Sequence, residues 1–115
     1  MKTRYGWIEI DNVEYNHDIV IHRNRSVHRR SKKQSKKLKT VFGHTPLSSS
    51  DLTFLESEKP DIVYIGTGHH NGLPITVDAL KILSNYETVI RPTPEILDCL
   101  DHELRSFAAV LHVTC

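Results

Sequence analysis

Asp61-Ile-Val-Tyr-Ile-Gly-Thr-Gly68 decides the fold. Ile62 to Ile65 are four consecutive apolar residues running straight into a glycine, too short for a helix and too apolar for a strand with one wet face. Such a run predicts a strand covered on both sides, the kind that parallel sheets use. Towards the C-terminus, Thr76 can cap a helix whose apolar residues Ala79, Ile82, Leu83 and Tyr86 fall on one face. Thr88 to Ile90 reads as the next strand. Thr93 is then expected to cap a second helix, with Pro94 at its first position and Ile96, Leu97, Leu100 and Leu104 on one stripe. Phe107 to Val113 is apolar on both faces and belongs in the middle of a covered sheet. The order β-α-β-α-β with short links makes the first two of these strands parallel, joined by a right-handed crossover.

Towards the N-terminus the periodicity changes to two. Gly6 to Ile10 places Ile8 and Ile10 on one face, Asp11-Asn12 tolerates the positive φ of a tight turn, and Val13 to Tyr15 returns antiparallel. A second hairpin is expected from Asp18 to His22, the Asn24-Arg25 turn, and Ser26 to Arg30, whose last strand has a face in water. Ser31-Lys-Lys-Gln34 matches a capping box with little apolar surface behind it, and Thr40 to Leu47 reads as a loop. Ser48-Ser-Ser-Asp51 caps a short helix carrying Leu52 and Leu55, which stops before Pro60. The expected architecture is one α/β domain over residues 1–115 in three layers. It has a mixed central sheet, N-terminal antiparallel hairpins (1–39) and a C-terminal βαβαβ unit (61–115).

In 115 residues, 38% hydrophobic and 25% charged, there is room for a single globular core. No apolar run approaches the roughly 20 residues of a membrane helix, and no export signal follows Met1, so the chain reads as cytoplasmic with no membrane span. Cys99 and Cys115 are then reduced thiols. The formal charge of +1 hides a division: nine of the fifteen Lys and Arg lie between Arg23 and Lys39 with no acid among them, a +9 segment on a −8 body. Eight histidines add charge below neutrality, so capture of acidic partners should strengthen on mild acidification.

Gly66-Thr-Gly68-His-His-Asn-Gly72 follows a strand and precedes a helix, as dinucleotide loops do, but Leu73-Pro74-Ile75 intervenes before any good cap. A structural or anion-binding glycine turn fits better than a nucleotide cofactor site, and no cofactor is expected. His69-His70 lacks the third and fourth ligands that zinc needs, so no metal is expected either. His112 and Cys115 are an odd number of residues apart and project to opposite faces of an extended strand, which argues against a local catalytic dyad and leaves open a pairing of Cys115 with His69 or His70 through space. Cys99 borders its helix's apolar stripe as core filler.

Parallel neighbours share one rim at their carboxyl ends. That rim would gather Thr67, Gly68, His69, His70, Arg91 and Thr93 as a patch able to receive an anion, or simply to satisfy the chain's own last residues.

Asp18-Ile-Val-Ile21, the Arg29-Arg30 to Ser35-Lys36-Lys37 stretch, Ile65-Gly-Thr-Gly68 with Gly72-Leu73, Pro92-Thr93 and His112-Val-Thr-Cys115 occur in one order along nearly the whole chain. Together they resemble a small family of archaeal and bacterial proteins of unknown function that also includes a mitochondrial complex I assembly factor and an adipogenesis-associated mammalian homologue. The resemblance implies a three-layer α/β fold with a mixed sheet and no established reaction. Phe42-Gly-His-Thr-Pro46 departs from the family's usual Gly-Thr-Ser-His segment, which leaves His44 without a family equivalent.

Three functions compete on these grounds. A non-enzymatic protein-interaction or assembly factor accounts for the missing catalytic constellation and the divided charge, with self-association left open. A small-anion binder or enzyme would use the Gly66–Gly72 loop and the Arg91–Pro94 turn. Nucleic-acid binding through Arg23 to Lys39 is opposed by the absence of any aromatic residue there and by the acidic remainder.

Overall fold

The computed structural model describes residues 1–31 and 45–114. Beyond Ser31 the capping box that runs to Gln34, the start of the loop that follows it, His44 and Cys115 therefore lie outside the described residues. Among the described residues eight strands are present: β1 (Lys2–Arg4), β2 (Trp7–Ile10), β3 (Val13–Tyr15), β4 (Ile19–Ile21), β5 (Val27–Arg29), β6 (Ile62–Thr67), β7 (Glu87–Arg91) and β8 (Phe107–His112). A 3-10 turn (Ser49–Leu52) and three helices, α1 (Leu55–Glu58), α2 (Val77–Leu83) and α3 (Thr93–Leu100), complete the described elements.

β1, β2 and β3 form a small antiparallel sheet, and the main sheet runs β5-β4-β8-β6-β7. β6 is parallel to both β7 and β8, while β4 is antiparallel to β8, so the central sheet is mixed. β8 lies between the N-terminal hairpin and the first parallel strand, as an apolar run without a wet face requires. Its side chains alternate between two cores. Phe107, Ala109 and Leu111 join Ile62 and Tyr64 against Ile8, Ile10, Ile96, Leu97 and Leu100. Ala108 and Val110 join Val63 and Ile65 against Leu47, Leu52, Leu55, Ala79 and Leu83. The sheet is thus the middle of three layers, with the small sheet and α3 on one side and the 3-10 turn, α1 and α2 on the other.

Local chemistry closes the elements. Asp11 and Asn12 take φ of 49° and 68° in the first hairpin turn, and Arg25 takes 74° in the second. The Thr76 hydroxyl accepts from Ala79 N and caps α2. Ser48 and Asp51 form a reciprocal capping box around the 3-10 turn.

Four particulars differ from the sequence reading. β1, with no apolar residue, is an additional strand, turned into β2 by Tyr5 and Gly6. Thr93 is not a helix cap: Pro92 holds that position, and the Thr93 side chain faces inward instead. α3 ends at Leu100, so Leu104 falls off the stripe and is 96% exposed. Arg30 is no solvated member of the basic segment, being 3% exposed.

Candidate functional site: a buried ion-pair cluster beneath a cavity

The parallel pairing of Gly66 with Arg91 does bring the glycine loop and the Arg91–Pro94 turn to one rim. What the rim's polar groups do there is hold the chain together. Gly68 N donates to Thr93 Oγ1 (3.0 Å), the same hydroxyl donates to the His112 carbonyl (2.6 Å), and Thr93 N donates to the Gly68 carbonyl (3.0 Å). One fully buried hydroxyl thereby stitches β6, α3 and β8. Thr67 Oγ1 is bonded to Asn71 Oδ1 across the turn, and Leu73 N closes onto the Thr67 carbonyl (3.1 Å).

His69 N donates to the Thr114 carbonyl (2.9 Å), and its Nε2 meets Thr3 Oγ1 (3.1 Å), fastening the last residues and β1 to the loop. Burial, with His70 and His112 nearby, pushes the His69 imidazole below its ordinary range against an opposing bond with the Arg4 backbone. His70 lies beside the Tyr5 ring (6.2 Å between centroids), and Arg91 is exposed with Nη1 on the Ile90 carbonyl (3.0 Å). The donors that an anion would need from Gly68 and Thr93 are already engaged within the protein.

A different cluster carries more chemistry. Arg30, at the end of the second hairpin, makes four hydrogen bonds: Nε and Nη2 to the two Asp51 carboxylate oxygens (3.2 and 3.1 Å), Nη1 to Asp18 Oδ2 (3.1 Å), and Nη2 to the Pro46 carbonyl (2.6 Å). Its planar fork suits this bidentate seat on Asp51, which a lysine could not occupy. Asp18 Oδ1 accepts from Val113 N (3.0 Å), and its Oδ2 also takes His112 Nδ1 (2.8 Å). A carboxylate can only accept, so His112 carries its proton on Nδ1, and in the neutral ring Nε2 is left to accept from Thr114 Oγ1 at 3.2 Å. The described partners therefore form a chain from Thr114 through His112 and Asp18 to Arg30 and Asp51. Asp18, Arg30, Asp51 and His112 are all buried, and such charges persist in a core only when paired in this way.

Above the cluster opens a cavity of about 520 Å³, lined by Asn16, His17, Asp18, Arg29, Arg30, Ser31, Val113 and Thr114. Arg29 is exposed at its edge, and Arg30, whose side chain is buried, also lines it. Sequence reasoning missed this place because Arg30 looked like one more solvated cation. His112 was the available signal: it is the one polar residue in the buried run from Phe107 to Val113, and a polar side chain there must have a partner.

Among the described residues no group of three or more His, Cys, Asp or Glu side chains is arranged to hold a metal ion. No helix among them is long and apolar enough to cross a membrane.

No protein-family model matches the chain, and no curated protein matches it. Two solved structures are similar over their whole length. One, described as MT938, is 29% identical with a TM-score of 0.79, covering 100% of this chain and 96% of its own. The other, conserved hypothetical protein PH1505 from Pyrococcus horikoshii OT3, is 30% identical with a TM-score of 0.85, covering 100% of this chain and 98% of its own. A likeness of that degree across both complete lengths makes the present chain a member of the same family as this Pyrococcus horikoshii protein.

Proposed function

We propose that the protein is a non-enzymatic interaction protein that receives an acidic segment of a protein partner at the cavity beside Arg29. The observation that carries this reading is the contrast between the two arginines there. Arg30 is spent on Asp18 and Asp51, whereas Arg29 is exposed at the edge and accompanied by the donors of Asn16, His17 and Ser31. Lys32 and Lys33 follow in the sequence and add to the chain's positive charge in this segment. The resemblance to an assembly factor agrees with such a role.

Fluorescence anisotropy with a labelled Asp/Glu-rich peptide tests it. Binding should weaken as salt is raised and fall roughly tenfold in R29E, since reversing the charge turns an attraction for carboxylates into a repulsion. Equal binding of an uncharged peptide, an undiminished R29E, or tighter binding of a single-stranded oligonucleotide of equal charge would each defeat the reading.

A second reading is supported by the order hydroxyl, imidazole, carboxylate along Thr114, His112 and Asp18, which is that of a proton relay. It ranks below the first because Arg30 shares the same Asp18 oxygen, so that carboxylate is already held by a guanidinium. Turnover of activated esters that disappears in H112N would promote it.

A further inference from the structure

Among the described residues the two sheets have four outer strands, β5, β7, β1 and β3, and the sequence of each determines whether it can pair with a copy of itself. An antiparallel pair of identical strands related by a two-fold axis sets each residue opposite the one at the mirrored position. For β1 that opposes Lys2 to Arg4, for β3 it opposes Glu14 to Glu14, and for β5 it stacks His28 on His28 and Val27 on Arg29. None of these is complementary, and two bring like charges face to face. β7 is different. With Val89 on the axis, Glu87 stands opposite Arg91 at both ends, and Thr88 stands opposite Ile90.

We propose that β7 is a self-association surface, through which two copies of this chain join edge to edge in an antiparallel, two-fold-related pair. Burial supports the choice. β6 and β8 are buried along their whole length, whereas the three middle residues of β7 are only partly covered. Val89 is a half-buried margin of one core, and Ile90 with Ile82 and Tyr86 a half-buried margin of the other. A second copy laid along this edge covers both margins at once and extends the main sheet across the axis. β7 also lacks the proline, lysine or bulge with which sheet edges are commonly protected. What guards it is the Arg91 guanidinium folded onto the Ile90 carbonyl, and Glu87 already meets Arg105 at 2.9 Å. Pairing turns Arg91 from its own backbone to the Glu87 carboxylate of the second copy, which then lies between two guanidinium groups.

Sedimentation velocity over a concentration series is the test. The unmodified chain should show a monomer–dimer equilibrium. E87R and R91E should each weaken it roughly tenfold, because each turns two attractive end contacts into repulsive ones. An equimolar mixture of E87R and R91E should recover a mixed dimer, since every Arg then meets a Glu across the axis, and the double variant E87R/R91E should recover a dimer by itself. Recovery on mixing shows that each single variant remains folded. A chain monomeric at every concentration, single variants that associate like the unmodified chain, or a mixture that stays monomeric would each overturn the proposal.

Discussion

At the scale of single residues, Thr93 shows how much one hydroxyl can hold. It is fully buried, accepts from Gly68 N and donates to the His112 carbonyl, so it satisfies two main-chain groups that have no access to water. Gly66 belongs to the same contact: a Cβ placed there would come within 2.7 Å of Thr93 Oγ1 and 3.2 Å of Thr93 Cα, which leaves glycine as the residue that fits. Thr93→Val keeps the shape and removes the hydroxyl, leaving both main-chain groups unpaired. It should cost about 2–4 kcal/mol in urea unfolding at neutral pH, a penalty of about 1–2 kcal/mol for each group. Thr93→Ser retains the hydroxyl and should cost under about 1.5 kcal/mol. Equal losses in the two variants would show that packing, not hydrogen bonding, sets the value of this position. The sequence showed Thr93 before a helix, and a helix cap was the natural reading. Its inward turn depends on β8 lying beside β6, which no local pattern discloses.

At the scale of elements, the link between α3 and β8 is fastened by charge. Tyr64 Oη donates to Glu103 Oε1 (2.7 Å), and Arg105 reaches both Glu103 (3.0 Å) and Glu87 (2.9 Å), so the Glu103–Arg105 pair ties β6, β7 and the link together. The Arg105 guanidinium first, and the Tyr64 hydroxyl second, hold the Glu103 carboxyl down to about 2 from an ordinary value of 4.5. A depressed carboxyl lends stability that is complete above the unfolded value and is lost as pH falls from about 4.5 towards 2. Because Arg105 is half exposed, water screens much of this, and about 1–2 kcal/mol is the expected size. Glu103→Gln should therefore be less stable than the parent at pH 7 by that amount and equal to it near pH 2, as read from urea midpoints. A constant difference across the range would show that the charge is not responsible. Burial and the bond to Glu103 push the Tyr64 hydroxyl up to about 12, so it remains the donor throughout this range.

The elements themselves were legible where periodicity was strong. Ile62 to Ile65, the α2 stripe and the two hairpin turns each carry local patterns that survive folding unchanged. The buried cluster was not legible, because Asp18, Arg30, Asp51 and His112 come from four separate parts of the chain. Asp18, Arg30 and Asp51 look ordinary in their own windows, His112 alone stands out from its apolar run, and only the meeting of β4, β5 and β8 with the 3-10 turn makes them one network. The rim was legible as a place, since parallel neighbours must share one. Its hydrogen bonds were not, because they depend on where the last residues return.

At the scale of the whole molecule, the decisive fact is that β8, almost the last segment of the described chain, is the middle strand of the main sheet. It pairs with β4 on one side, Ile19 facing Leu111, and with β6 on the other, Ile62 facing Phe107. Five of its six residues are apolar and buried, and they feed both cores, so neither core can close before β8 arrives. Such long-range pairing pays its loop-closure entropy before any packing is gained. A chain stopped at Ser106 should then have no stable substructure: β4 and β6 lose their shared neighbour, and α3 loses the surface it packs on. Far-UV circular dichroism should show it unfolded without a cooperative thermal transition. A synthetic peptide spanning residues 107–115, added in trans, should restore the transition at a temperature that rises with peptide concentration, because the peptide binds only the folded arrangement. A cooperative transition in the shortened chain alone would mean that the βαβ unit holds its own core, and β8 would then be a late addition to a sheet already formed.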